Sequence, residues 1–200
     1  MAFTFFFRDR HTLETSVNLL VPLSHDLKEI KIWDAGCAMG SEPYTFAMLL
    51  AEKMGYFTFK RVKIHATDID ETDTFHKIID NGVYSENELA RIPKEILIKY
   101  FTKIENSDFF QVNDFIKNRI VFQKHNLLSL QPIDTGYNMI ICKNVLLHLS
   151  PDERVEVINM FTSVLVKGGL FVTEQTQTIP EFNKNCFRQV VTNANVYEKI

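Results

Sequence analysis

Ile30-Lys31-Ile32-Trp33-Asp34-Ala35-Gly36-Cys37-Ala38-Met39-Gly40-Ser41-Glu42-Pro43-Tyr44 is the stretch that decides the fold. A short apolar run ends at Trp33, and small residues follow it. Gly36, Ala38 and Gly40 leave room for a ligand to approach the backbone. Ser41 and Pro43 then open an amphipathic run, residues 44–54. Ser is a good helix N-cap, and Pro is tolerated in the first turn because its missing N–H has no partner there. The stretch reads as strand, small-residue turn and helix start, a geometry that binds ligands at the carboxyl end of a parallel strand. It is not a phosphate cradle, because it lacks both the G-x-x-x-x-G-K-[ST] lysine and the third glycine of G-x-G-x-x-G. Asp34 and Glu42 would repel a pyrophosphate and welcome a cationic group.

Outward from this turn, the run 62–67 (VKIHAT) reads as a second strand closing on Asp68-Ile69-Asp70. An acid ~20–30 residues after such a turn is placed to hydrogen-bond ribose hydroxyls, which suits Asp68. Asp70 suits the cap of a helix over 71–80. The run 137–142 (YNMIIC) is a buried strand with Lys143 and Asn144 at its carboxyl end. Ser150-Pro151-Asp152-Glu153 is a capping box that starts a helix running to about residue 166 and stopping at Lys167-Gly168-Gly169. A strand over 170–174 and a hairpin from 186–191 and 196–199 close the chain. Nearer the start, 11–25 has helical spacing with Pro22 inside it. Residues 86–91 and 94–103 read as short helices. Residues 109–112 and 119–123 read as strands of a small antiparallel β insertion spanning 104–124. The βαβα order predicts a doubly wound α/β sheet in one domain over residues 1–200.

Composition narrows the function. Of the 200 residues, 46% are hydrophobic, enough for a sizeable core, and the net charge of -3 gives no basic footprint for nucleic acid. No apolar run approaches the ~18 residues of a membrane span, and residues 1–10 lack the form of a signal peptide. Cys37, Cys142 and Cys186 are widely separated, with no C-x-x-C pair. Free thiols in a reduced, cytoplasmic protein are expected.

Several segments together resemble one family, the CheR-type chemotaxis receptor glutamate O-methyltransferases. They are Thr4-Phe5-Phe6-Phe7-Arg8-Asp9, the turn from Ala35 to Thr45, Ala66-Thr67-Asp68-Ile69-Asp70, Asn126-Leu127-Leu128, the run Cys142-Lys143-Asn144-Val145-Leu146-Leu147-His148-Leu149, and Val196-Tyr197-Glu198-Lys199. They occur in order over nearly the whole chain. The resemblance implies a Rossmann-like methyltransferase sheet with a C-terminal antiparallel hairpin. It implies S-adenosyl-L-methionine as cofactor and S-adenosyl-L-homocysteine as product. By the same resemblance Thr4, Arg8, Gly36, Glu42, Asp68, Asn126, Leu127, Lys143 and Asn144 would bind the cofactor. Arg8 and His148 would stand at the methyl-transfer centre. The acceptor would be glutamate side chains on the cytoplasmic domain of a chemoreceptor, met by a monomeric enzyme.

The departures are also informative. Members usually carry a helical domain before the Thr-aromatic-Arg motif, whereas this sequence begins at the motif, as a trimmed chain or a minimal variant would. Lys143 replaces the usual Arg, His148 the usual Tyr, and Ala2 an Asn that often touches the cofactor. The loop 104–108 is short and free of glycine, which suggests a member that does not dock a receptor's C-terminal pentapeptide. Two other readings stay open on the sequence: a methyltransferase of the same fold acting on another protein or a small molecule, and a non-catalytic module that senses the cofactor.

Overall fold

The computed structural model describes residues 4–200, so the expectation at Ala2 lies outside the described residues. Strands are β1 (Ile30–Ala35), β2 (Val62–Asp68), β3 (Val83–Ser85), β4 (Phe101–Lys103), β5 (Phe109–Val112), β6 (Ile120–Lys124), β7 (Tyr137–Ile141), β8 (Leu165–Val172), β9 (Phe187–Gln189) and β10 (Val196–Lys199). Helices are α1 (Arg10–Leu23), α2 (Ser41–Lys53), α3 (Tyr56–Phe59), α4 (Phe75–Asn81), α5 (Lys94–Tyr100), α6 (Asp114–Lys117) and α7 (Pro151–Val164). A sheet of order β6-β2-β1-β7-β8-β10-β9 forms the body, and a second sheet of order β3-β5-β4 stands apart from it. The first five strands of the large sheet run parallel, while β10 pairs antiparallel with both β8 and β9.

Apolar side chains cover both faces of that sheet. On one face Leu13, Val17 and Leu20 of α1 and Phe46 and Leu50 of α2 are fully buried. On the other, Trp33 meets Phe161 of α7 edge-on at 5.1 Å and tilts against Tyr137 at 5.5 Å. The Trp33 indole N–H donates to Thr67 Oγ1 at 2.8 Å, so burying this ring leaves no donor unpaired. The capping box at α7 forms as expected: Glu153 N donates to Ser150 Oγ, and Ser150 N donates to Glu153 Oε2.

Four local expectations are corrected. Residues 119–123 do not join the small antiparallel sheet; β6 lies parallel to β2 at the edge of the large one. As an edge strand it exposes alternate residues, Val121 among them, and so has the pattern of a half-solvated ribbon. Residues 86–91 form turns rather than a helix, with Glu88 Oε2 accepting from Ser85 N and Oγ. The helix expected over 94–103 ends at Tyr100, because Phe101 turns into β4. α7 ends at Val164 and β8 starts at Leu165, so Gly168 and Gly169 lie within a strand that carries an irregularity in its pairing with β7.

Candidate functional site

β1 is paired on both sides, and its exit is the middle of the sheet's carboxyl edge. The turn that follows holds three residues at positive φ: Gly36 at 96°, Ala38 at 48° and Gly40 at 88°. A Cβ at Gly36 would stand 2.1 Å from Val145 Cγ2, so no side chain fits there. The turn is tied to β2, with Gly36 N and Cys37 N donating to Thr67 O at 2.7 and 3.0 Å. Asp68 completes the tie: its Oδ2 accepts from Ala38 N at 2.9 Å and its Oδ1 from Asp70 N at 3.2 Å. Each oxygen keeps a further lone pair for a ligand hydroxyl. Asp70 serves as the cap for the helix after it, accepting from Thr74 N and Phe75 N at 3.0 and 3.1 Å. That helix starts at Phe75, later than the sequence suggested.

A cavity of about 670 Å³ opens over this edge, and each of the ten residues singled out from the sequence lines it. Thr4 and Arg8 come from the segment before α1. Gly36 and Glu42 come from the turn and the start of α2, and Asp68 from the end of β2. Asn126 and Leu127 follow β6; Asn126 Oδ1 accepts from Leu128 N at 3.0 Å and so shapes the turn that presents Leu127. Lys143, Asn144 and His148 follow β7, with His148 exposed at the rim.

The interior is acidic around one buried cation. The Lys143 side chain is wholly buried and its Nζ meets Glu42 Oε2 at 2.8 Å and Asp9 Oδ2 at 3.3 Å. Burial pulls the Lys143 pKa down, but Glu42 and then Asp9 outweigh it, and the net shift is upward. Lys143 is therefore a charged bridge between the N-terminal segment and the turn, a fuller structural role than the ligand contact expected of it. Glu42 accepts the Lys143 hydrogen bond through Oε2. Asp34, fully buried, has no hydrogen-bond partner among the described residues for either carboxylate oxygen. Burial first, and then the Glu42 carboxylate, push the Asp34 pKa well above the usual carboxylate range. Cys37 and Cys142 are likewise pushed up, chiefly by burial.

At the mouth, Arg8 Nη2 donates to Asn144 Oδ1 at 2.9 Å. Asn144 is fixed in turn, at φ 59°, by donation of its N–H to Glu174 Oε2 at 2.9 Å. Phe7 N donates to Thr45 Oγ1 at 3.0 Å, which docks the Arg8 segment on α2. Asp9 and Glu174 were not named as site residues from the sequence. Asp9 stood there only as the acid that ends the motif over residues 4–9 and Glu174 as the end of a strand, and their partners lie far along the chain. The donor set suits a ligand with an ammonium group and a vicinal diol: carboxylates near Lys143 for the first, Asp68 for the second. Among the described residues no group of His, Cys, Asp and Glu could hold a metal ion, and no helix is long and apolar enough to cross a membrane.

Comparison with known proteins agrees with this chemistry. Residues 2–196 match the family model described as "CheR methyltransferase, SAM binding domain". The chain is 35% identical over 191 residues to a chemotaxis protein methyltransferase of Borreliella burgdorferi, covering 91% of this chain and 66% of that protein. It is 27% identical over 202 residues to one of Vibrio anguillarum, covering 98% of this chain and 72% of that protein. Among solved structures, PKMT2 of Rickettsia typhi in complex with AdoHcy superposes with a TM-score of 0.50 at 14% identity, over 86% of this chain and 26% of that one. That likeness concerns the fold alone.

Proposed function

The chain belongs to the CheR methyltransferase family, and from that premise we propose that it transfers a methyl group from S-adenosylmethionine to glutamate side chains of a chemoreceptor's cytoplasmic domain. The observation that carries the reading is the division of charge in one cavity: buried carboxylates around Glu42 inside, and the Arg8 guanidinium, tied to Asn144, at the mouth. A cationic cofactor suits the interior and an anionic acceptor suits the rim.

When bound, S-adenosylmethionine supplies a sulfonium methyl as the electrophile, and the protein's part is binding, orientation and electrostatics. Glu42 would receive the ammonium end through Oε1. Asp68 would accept the ribose hydroxyls while its backbone bonds hold it still. Asn126 and Leu127 would border the adenine, and Gly36, Thr4 and Asn144 would close around the ligand. Arg8 would hold the acceptor carboxylate by paired charge-assisted hydrogen bonds. A glutamate with an unperturbed pKa of about 4.3 is already ionised near neutral pH, so no general base is needed. His148 stands on the same rim, where it can donate to the same carboxylate.

On this reading the enzyme works as a monomer in the cytoplasm. It needs no receptor pentapeptide, since the β4–β5 connection is a tight one closed by the Ile104 N to Phe109 O bond at 2.9 Å. The test is transfer of labelled methyl groups to receptor-bearing membranes, with mass analysis of the products. Label on glutamate side chains supports the reading, and label found only on other residue types or on a small molecule refutes it.

A further inference from the structure

Tyr84 lies at the centre of β3, in the small sheet, yet its side chain serves the cavity of the large one. Its hydroxyl donates to Met39 O at 2.8 Å. That carbonyl lies between Ala38 and Gly40, two of the positive-φ residues of the turn. The contact is close: a Cβ on Gly40 would stand 3.0 Å from Tyr84 Oη. The same ring meets Phe6 edge-on, with centroids 4.9 Å apart and planes at 89°, and Tyr44 at 5.9 Å and 83°. Phe6 also meets Phe101 of β4 edge-on at 5.9 Å, so the small sheet grips it from two strands. Phe6 is two residues from Arg8. One buried side chain thus touches both halves of the site, the positive-φ turn on one side and the arm that carries Arg8 on the other. Ala38, at φ 48°, is in a sparsely populated conformation for a residue with a Cβ, and such a conformation persists only where its surroundings hold it.

We propose that Tyr84 is a positioning residue of the cofactor site, with its hydroxyl fixing the turn 36–40 and its ring seating the arm that presents Arg8. The small sheet is then part of the cofactor-binding machinery. This rests on the reading of the cavity as an S-adenosylmethionine site and is independent of which acceptor is methylated. Tyr84→Phe keeps the ring and removes the donor. Calorimetry with S-adenosylhomocysteine should show the dissociation constant raised about 5–10-fold, the loss expected for one neutral hydrogen bond. Turnover of Tyr84→Phe at saturating cofactor should fall less than that of Tyr84→Leu, because the Phe ring still meets Phe6. Tyr84→Leu should weaken binding to the same degree and also lower turnover by about 10-fold or more, since misplacing an orienting group costs rate directly. A purely structural role would lower the melting temperature of both variants and leave affinity untouched. Wild-type affinity in Tyr84→Phe overturns the proposal, even if Tyr84→Leu fails to fold. The binding arm uses no acceptor, so its failure is distinct from failure of the glutamate assignment.

Discussion

Replacing Lys143 by Met tests whether the buried bridge is what holds the site together. The Met side chain keeps most of the volume and removes the charge. The Lys143 side chain is 0% exposed and that of Glu42 12%, with 2.8 Å between their charged atoms. The variant leaves the Glu42 carboxylate beside Asp34 and Asp68 with no counter-charge, and breaking a buried pair in this way costs about 3–5 kcal/mol. Asp9 is 45% exposed and regains solvent, so it adds nothing to that figure. At the lower bound of about 3 kcal/mol, a protein of this size should melt roughly 6–12 °C lower. Lys143→Met/Glu42→Gln should recover more than half of the loss, because the stranded charge is gone. The pH dependence has a definite sign. The folded pKa of Lys143 is raised, so its contribution is complete below the unfolded value of about 10.4 and fades as pH climbs through the folded one. The gap between wild type and Lys143→Met should therefore narrow only in strong alkali. Calorimetric melts of the three proteins between pH 7 and 11 decide it. A single variant melting within 2 °C of wild type, or a double variant no better than the single, refutes the bridge (the 2 °C limit is about 1 kcal/mol at this size).

Three further outcomes follow from the same geometry. Asp68→Ala should weaken S-adenosylhomocysteine binding by about 1–3 kcal/mol, the worth of charge-assisted hydrogen bonds; wild-type affinity by titration calorimetry would remove Asp68 from the site. Arg8→Lys should bind the cofactor normally yet transfer methyl about 10²-fold more slowly, because a lysine keeps the charge and loses the planar two-point grip. Undiminished turnover on a receptor substrate would end that role for Arg8. All three cysteines are free in the structure, but Cys37 and Cys142 are buried with their pKa pushed up, while Cys186 is part-exposed. Timed alkylation with mass analysis should therefore label Cys186 first, since reactivity follows thiolate content and access; early labelling of Cys37 would contradict the buried turn.

How much of this was legible in the sequence depends on the distance over which each feature is encoded. The turn 36–40, the Asp68–Asp70 pair and the Ser150 cap are local: a glycine that must carry positive φ, an acid at a strand end, a hydroxyl before a proline. Their residue types alone mark them, and the parallel order follows from the alternation of strands and helices. The edge position of β6 is not local, because a half-exposed parallel strand and an antiparallel ribbon show the same alternation. The Lys143 bridge is less visible still. Lys143 and Glu42 are 101 positions apart, and neither residue type alone announces a buried pair. Asp9 looks like the tail of the aromatic motif, yet it sits at φ 51° and turns its carboxylate to Lys143. Nothing in the sequence reading marks Tyr84, and only the fold brings it to Met39, 45 positions away. Cavity-lining groups are thus written into short motifs, while the groups that hold them are chosen by a fold that brings distant residues together. That division explains why the ten residues named from the sequence share one cavity, and why Asp9, Tyr84 and Glu174, which brace it, emerge only in three dimensions.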